Sequence, residues 1–170
     1  MNKISVIGLD LAKNVFQVHG INTDGEVVVR KQLKRSQLRR FFAKLEPCLI
    51  GMEACGGAHY WSRELTRLGN TVRMMAPVFV KPYLKSNKND RNDAEAICET
   101  VQRPSMRFVQ PKMPEQQAVL HLHHGRRLLV CHRVALSNHM RGILSEYGIV
   151  MPQGVKVIPR RLPEILEVCR

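Results

Sequence analysis

The sequence predicts an α/β domain followed by one long helix. Strand and helix patterns alternate in the first part of the chain, in the order three strands, helix, strand, helix, strand, helix. Three prolines, Pro104, Pro111 and Pro114, then mark a linker. After this linker, Leu122, Leu129, Leu136 and Ile143 recur at intervals of seven residues, which is typical of a long helix that packs against another helix.

The first three strands are predicted from β-branched runs. KISVIGLD, residues 3–10, ends in an acid, and Val15, Val18 and Ile21 indicate a second strand. NTDG, residues 22–25, is a turn signal, and EVVVRKQL follows it as a third strand. A tight turn between neighbouring strands requires that they pair antiparallel.

The next segments alternate between helix and strand. Ser36 is predicted to cap an amphipathic helix that buries Leu38, Phe41, Phe42 and Leu45 and ends at Pro47. CLIGME, residues 48–53, reads as a buried strand that also ends in an acid. ACGGAHYWSRELTRLG then predicts a glycine-rich turn and a helix closed by Gly69, and TVRMM predicts one more strand.

Prolines interrupt the chain after this strand. Pro77 and Pro82 predict a short helix and an exposed basic loop over residues 77–89. From Asp93, the segment DAEAICETVQR has helical composition and ends before Pro104. We therefore place an α/β domain at residues 1–113, a long helix at 114–148 and a tail at 149–170.

The heptad pattern of the long helix is imperfect. Val119 and Met140 extend the apolar stripe, but Arg126 and Arg133 interrupt it. A coiled-coil arm that forms a homodimer or tetramer is one interpretation, and a helix packed on its own domain is the other. Gly148 and Pro152 are expected to end the helix.

The charge of the chain points to a polyanionic partner. There are 27 Lys and Arg against 14 Asp and Glu, which gives a formal net charge of +13. The positive charge is spread over both parts of the chain, which favours a nucleic-acid partner over a generally basic soluble protein. Five cysteines without a CxxC pair, and no apolar run of about 18 residues, predict a reduced cytoplasmic protein without a membrane partner.

Four acids are set where strands end or a helix begins. Asp10 and Glu53 each end a predicted strand, and Asp90 and Asp93 lie three residues apart at the start of a predicted helix. Carboxylates from separate segments at one sheet edge are what Mg²⁺ or Mn²⁺ requires for action on a phosphodiester. Alone, each of these acids could be a solvated side chain, and Asp93 could be a helix cap.

Three segments around these acids resemble the DEDD insertion-sequence transposases, the group related to the Piv DNA invertase. The segments are GLDLAK, GMEACGGAHYW and VKPYLKSNKNDRNDAEAI, and the likeness continues through RPSMRFVQPKMPEQQ to SEYGIV. The resemblance implies an RNase H-like, RuvC-like domain followed by a coiled coil, with Asp10, Glu53, Asp90 and Asp93 as the four metal-binding acids. It also implies DNA as substrate and, in some members, a guide RNA encoded by the element.

Members of this family carry a further C-terminal domain with a serine that acts with the acids in DNA strand exchange. Ser137 and Ser145 lie on the long helix and do not match it. By resemblance, this chain is expected to be the N-terminal part of such an enzyme. We expect it to be associated with the nucleoid when bound to DNA.

Basic residues near the acids and on the long helix are candidate nucleic-acid contacts. They are Lys13, Lys81, Lys85, Lys88, Arg91, Arg126 and Arg127. A solvated loop is the alternative for those near Asp90. His121, His123, His124, Cys131 and His132 resemble a zinc cluster in composition, but they lack zinc spacing, so polar contacts are favoured.

Two other function classes remain open. The strand, acid and hairpin at the start of the chain are also typical of actin-like or sugar-kinase ATPases. However, Leu11, Ala12 and Lys13 leave no glycine for close phosphate approach. The other alternative is a non-catalytic DNA-binding or dimerising fragment that regulates a full-length transposase.

Overall fold

The structure is a computed structural model that describes residues 3–83, 90–154 and 156–168, without the side chains of Asp90, Arg91 and Val168. The chain divides into two compact units, Met1–Met113 and Pro114–Arg170. Each unit is described by itself below.

The first unit is built on a mixed sheet of six strands. They are β1 (Val6–Leu11), β2 (Val15–Ile21), β3 (Val27–Lys34), β4 (Leu49–Glu53), β5 (Thr71–Met75) and β6 (Phe108–Val109). Their order in the sheet is β3-β2-β1-β4-β5-β6. β2 is antiparallel to β1 and β3, β4 is parallel to β1 and β5, and β6 is antiparallel to β5. This arrangement is the RNase H-like fold, so the predicted fold class is confirmed.

Helices cover both faces of this sheet. The helices of the first unit are α1 (Arg35–Phe42), α2 (Ala58–Arg67), α3 (Pro77–Val80) and α4 (Asp90–Thr100), and a short 3₁₀ turn spans Lys81–Tyr83. Because side chains alternate along a strand, each strand contributes to two separate cores. Ile7, Leu9 and Ile50 pack with α1 and α2 on one face. Val6 packs with Ile97 and Val101 of α4 on the other.

The turn between β2 and β3 is fixed by a side chain. The Oδ1 atom of Asn22 accepts hydrogen bonds from the backbone N–H groups of Asp24 (3.0 Å) and Glu26 (2.9 Å). Gly25 adopts a positive φ of 81°, a conformation that glycine adopts without steric cost. The predicted NTDG turn and the antiparallel pairing of its strands are therefore confirmed.

Several boundaries differ from the sequence predictions. The prediction that Ser36 caps α1 is wrong, because β3 continues directly into the helix and Lys34 is the capping residue. The side chain of Gln37 accepts the backbone N–H of Lys34 at 2.9 Å. The helix predicted from Asp93 begins three residues earlier, at Asp90. The predicted linker contains β6, a strand too short to leave a periodic pattern.

The second unit contains two helices. α5 (Pro114–Glu146) has 33 residues, which corresponds to about 50 Å of helix. It ends as predicted near Gly148, whose φ is 76°, and the N–H of Ile149 donates to the carbonyl of Leu144 at 2.9 Å. The tail, for which no helix was predicted, contains α6 (Val157–Val168), with Pro163 inside it. None of the described helices has the length and apolarity to cross a membrane.

Candidate active site

Two of the four predicted acids lie on neighbouring parallel strands at the centre of the sheet. The register pairs Gly8 with Gly51 and Leu9 with Met52, and the next residues along the two strands are Asp10 and Glu53. Alternation places Asp10 on the same face as Gly8, and Glu53 on the same face as Gly51. Both acids therefore lie at the carboxyl ends of their strands, on the face that α4 covers.

The two paired glycines allow α4 to approach this face closely. A Cβ atom on Gly8 would lie 2.5 Å from the backbone N of Cys98 and would also collide with the carbonyl oxygen of Ala94. A Cβ on Gly51 would lie 2.7 Å from the Cβ of Val101. Only glycine at these strand positions permits the backbone of α4 to lie directly on the sheet.

This contact places a third acid beside the first two. Asp93 directly precedes Ala94, whose carbonyl faces Gly8, and its carboxylate oxygen Oδ1 is buried. The pKa of Glu53 is raised, first by burial and second by the negative charge of Asp93. A carboxylate whose pKa responds to a neighbouring carboxylate lies close to it, so Glu53 and Asp93 share one electrostatic environment.

Other groups complete this environment. Burial raises the pKa of the Cys55 thiol, and the charges of Glu53 and Asp10 raise it further. Lys81, in contrast, lowers the pKa of Glu53. Glu53 thus lies near the negative charge of Asp93 and the positive charge of Lys81, and together with Asp10 it acts on Cys55. Carboxylates that repel one another in this way favour the binding of a cation with oxygen ligands, since a cation relieves the repulsion.

For the fourth predicted acid, Asp90, only the backbone is among the described residues. Asp90 is the first residue of α4, but its side chain lies outside the described residues, as does that of Arg91. Lys85 and Lys88 lie entirely outside them. Within the described part of the chain, no three His, Cys, Asp or Glu side chains are already arranged to hold a metal ion. The four-acid site therefore remains a prediction.

The remaining predicted basic residues are surface residues. Lys13 is exposed in the turn between β1 and β2, close to Asp10 in sequence, and Lys81 is exposed on the 3₁₀ turn. Arg126 and Arg127 are exposed on α5. Their roles as nucleic-acid contacts stay predictions.

The structure also shows an arginine at the Lys13 turn that the sequence analysis missed. The guanidinium of Arg35 donates to the carbonyl of Lys13 at 3.5 Å. It also lies over the rings of Phe16 and Trp61, at 5.9 and 5.3 Å from their centroids. A positive charge is thereby held in place beside Lys13, by ring contacts that only the tertiary structure brings together.

A polar groove beside the acids was also missed. Gln17 pairs with Asp10 in the register of β1 and β2, and Gln32 pairs with Gln17 in that of β2 and β3. The sequence signal was present, since polar residues occupy alternate positions in both strands.

Comparison with known proteins identifies the class of the chain. A family model described as transposase matches residues 7–149, which covers most of the chain and includes all four predicted acids. The chain is therefore a transposase-family protein. Within that class, it belongs to the IS110-type DEDD transposases, and the predicted membership in the DEDD insertion-sequence transposases is confirmed.

Individual transposases are similar over nearly the whole chain. A probable family 20 transposase of Pseudomonas aeruginosa is 60% identical over 147 residues, which are 86% of this chain and 44% of that protein. The transposase for insertion sequence element IS1328 of Yersinia enterocolitica is 47% identical over 94% of this chain and 48% of its own length. The transposase for insertion sequence element IS1111A of Coxiella burnetii is 48% identical over 98% of this chain and 46% of its own length. The chain spans about half the length of these relatives.

A solved structure is also similar. It is that of T. thermophilus RuvC in complex with Holliday junction substrate, with a TM-score of 0.47 and 11% sequence identity. The match covers 63% of this chain and 99% of that one.

Proposed function

We propose that this chain is the metal-binding catalytic part of an insertion-sequence transposase that cleaves and transfers DNA strands. The observation that carries this proposal is the position of the acids. Asp10 and Glu53 end adjacent parallel strands on one face, and Asp93 is brought to the same face by the contact of α4 with Gly8. Asp90, one helical turn before Asp93, is proposed as the fourth member.

The donor set fits Mg²⁺ or Mn²⁺. All four proposed ligands are carboxylates, and hard divalent cations prefer oxygen ligands. When bound, such ions activate an attacking oxygen and stabilise the leaving oxygen of a phosphodiester. The chain itself supplies the cluster of negative charge and, with Lys81 at its margin, a positive charge that can hold a DNA phosphate.

The nucleic-acid partner is proposed to extend beyond the acids. Lys13, Lys85, Lys88 and Arg91 would contact the DNA backbone near the site, and Arg126 and Arg127 would contact it, or a guide RNA encoded by the element, on α5. These contacts would be sequence-independent, because lysine and arginine at phosphates fix position without reading bases. A homodimer or tetramer formed through α5 would bring two sites to one DNA.

The curated relatives are about twice as long as this chain. Their complete recombination reaction is therefore not proposed for the chain alone. The proposal for the chain is the part that its own residues can perform, namely binding of divalent metal and metal-dependent cleavage of a DNA strand.

Thermal unfolding in the presence of Mn²⁺ tests this proposal. Mn²⁺ is expected to raise the Tm of the chain, because a ligand that binds only the folded state stabilises it. Asp10→Asn, Glu53→Gln and Asp93→Asn should each reduce this shift and abolish nicking of supercoiled DNA. Glu99→Gln is the matched control, since Glu99 lies on the same helix as Asp93 but pairs with Arg103 at the surface.

Glu53→Gln also separates loss of metal from loss of folding. Burial and Asp93 both disfavour the charged form of Glu53, so replacing it with a neutral amide should leave the Tm of the metal-free chain equal or higher. An undiminished Mn²⁺ shift in all three variants would contradict the proposed site. DNA binding without any nicking would instead support the regulatory alternative.

A further inference from the structure

A groove runs beside the acids on the same face of the sheet. It lies between β2, β3 and the first turns of α4 and has a volume of about 280 Å³. Seven polar residues line it: Gln17, His19, Arg30, Lys31, Gln32, Asn92 and Glu95. The proposed function gives this groove no role.

The groove is continuous with the acid cluster. Asp10, Gln17 and Gln32 are partners in register across β1, β2 and β3, so their side chains point to the same face. Neighbouring strands lie about 4.8 Å apart, which makes this row about 10 Å long. Two adjacent bases along one strand of a duplex are separated by about 3.4 Å of rise. The row is thus long enough to follow two or three nucleotides away from Asp10.

The chemistry of the groove suits a nucleic-acid strand. Glutamine amides both donate and accept hydrogen bonds, so they can bind phosphate oxygens, sugar hydroxyls or base edges. Arg30 pairs with Glu95 across the groove at 3.1 Å, and the two side chains are 60% and 27% exposed. The guanidinium is thus open to solvent, and ion pairs with a solvent-exposed member contribute modestly to stability. The guanidinium can therefore exchange the carboxylate for a phosphate, which it can bind with two parallel hydrogen bonds.

We propose that this groove binds the DNA strand that leads away from the cleaved phosphate. Gln17 and Gln32 hold the nucleotides next to the acids, and Arg30 takes a backbone phosphate from its ion pair with Glu95. The assignment rests on the proposed function for the nature of its substrate. The binding itself does not require the metal.

The ion pair allows a test in which two variants move in opposite directions. Affinity is measured by fluorescence anisotropy with a labelled single-stranded DNA of about 20 nucleotides, a length that exceeds the site, in the presence of EDTA. Arg30→Gln should weaken binding about threefold or more, and should lower the slope of log Kd against log salt by about 0.7, the value for one phosphate on a single strand. Glu95→Gln should tighten binding, because it removes the carboxylate that competes with phosphate.

Both substitutions break the same ion pair. If the pair served only to hold β3 against α4, the two variants would change the affinity in the same direction or leave it unchanged. Either result would overturn the proposal. Opposite shifts larger than those caused by the same changes of charge on the opposite face of the sheet would support it, since net charge alone also moves the two variants in opposite directions.

Gln32 provides a second test with a control for net charge. Gln32→Lys should tighten binding and Gln32→Glu should weaken it, each about threefold. Thr66 is exposed at the end of α2, on the opposite face of the sheet. Thr66→Lys and Thr66→Glu introduce the same charges there and should change the DNA affinity less at moderate salt. Equal effects at Gln32 and Thr66 would mean that only overall charge matters and would overturn the groove.

These measurements separate the two proposals. The Mn²⁺ shift in Tm reports on the acids, and anisotropy in EDTA reports on the groove without metal. A normal Mn²⁺ shift with unchanged DNA affinity in the Arg30, Glu95 and Gln32 variants would overturn the groove alone. If the acids do not bind metal, Mn²⁺ would not raise the Tm, and this result would not depend on the DNA affinity of the groove variants.

Discussion

Leucines are buried in the first unit of this chain, whereas those of the apolar stripe on α5 in the second unit are exposed. In the first unit, Leu9, Leu38 and Leu65 are fully buried. On α5 of the second unit, Leu122, Leu129 and Leu136 are 76%, 70% and 61% exposed. Both sets follow a regular apolar pattern in the sequence. The difference is that the sheet of the first unit supplies a surface that covers Leu9, Leu38 and Leu65, whereas the three leucines of α5 have no such cover among the described residues. At the end of the stripe, Met140 packs against Met151 and Ile158.

Burial therefore depends on what the fold places opposite a residue, more than on the residue itself. The first unit gains stability from the hydrophobic effect on both faces of its sheet. The stripe on α5 can gain it only by contact with a further surface, such as a second copy in the predicted coiled coil. The glycine contact, single leucines and the cysteines offer three places where this difference between the units can be measured.

The largest effect is expected at the contact between β1 and α4. Gly8→Ala places a Cβ against backbone atoms of Ala94 and Cys98, and backbone atoms of a packed helix cannot move aside locally. We expect a loss of about 4 kcal/mol or more in the free energy of unfolding, measured by urea denaturation. Any folded fraction should also lose the Mn²⁺ shift, because Asp93 is displaced.

Gly56→Ala is the matched control. A Cβ at Gly56 meets nothing within 4 Å, so the free energy of unfolding should change by less than about 1 kcal/mol. A Gly8→Ala variant as stable as Gly56→Ala would show that α4 does not lie directly on the sheet.

A smaller effect is expected from shortening a leucine. Leu65→Ala removes a fully buried side chain and should cost about 2 to 5 kcal/mol. Leu129→Ala removes an exposed one and should cost less than about 0.5 kcal/mol at low protein concentration. If the stripe on α5 pairs with a second copy, the Leu129 variant should also weaken self-association in sedimentation equilibrium.

Two outcomes would contradict this comparison. A Leu129→Ala variant that destabilises dilute protein as much as Leu65→Ala would mean that α5 is buried within its own chain. A chain that stays monomeric at high concentration, with or without Leu129, would exclude pairing through the stripe and favour the alternative of a helix packed on its own domain.

Chemical labelling of the cysteines changes stability least and still distinguishes the two units, because buried and exposed thiols differ in reactivity. Burial raises the pKa of Cys48 and of Cys98 to about 11, so both remain protonated at pH 8, and only a thiolate reacts readily. Cys131 is exposed on α5. Iodoacetamide at pH 8 should therefore modify Cys131 in native protein, and Cys48 and Cys98 only after unfolding, as shown by peptide mass mapping.

Rapid modification of Cys98 in native protein would be inconsistent with the packing of α4. Cys98 lies on the side of α4 that faces Gly8, and any reagent that reaches it must first separate the helix from the sheet. A control with Cys131→Ser confirms which thiol accounts for the native signal.

Much of the fold was predictable because its signals are local. The turn at Asn22 and Gly25, the alternation in β1 to β3 and the end of α5 at Gly148 each depend on a few neighbouring residues. The elements that were missed are those whose formation depends on distant partners. β6 exists because Phe108 and Val109 pair with Met75 and Met74, and α6 forms although Pro163 lies inside it.

The same division applies to the candidate site. Asp10, Glu53 and Asp93 could be selected because each follows a strand or begins a helix, and because their segments resemble one family. The groove beside them could not, since Gln17, Arg30 and Glu95 belong to three elements and become neighbours only when α4 lies on the sheet. Arg35 was missed for the same reason, as its ring contacts come from β2 and α2.

The class of fold and the family could be predicted from the sequence, and the candidate acids selected from it, because strand alternation, turn residues and motif spacing are properties of short segments. Only the fold shows that Glu53 and Asp93 share one electrostatic environment, how closely α4 approaches the sheet, and where the groove proposed for a DNA strand lies. These depend on the register of Gly8 with Gly51 and on the missing Cβ atoms at that pair. Register and close packing are relations between distant segments, and no local pattern specifies them.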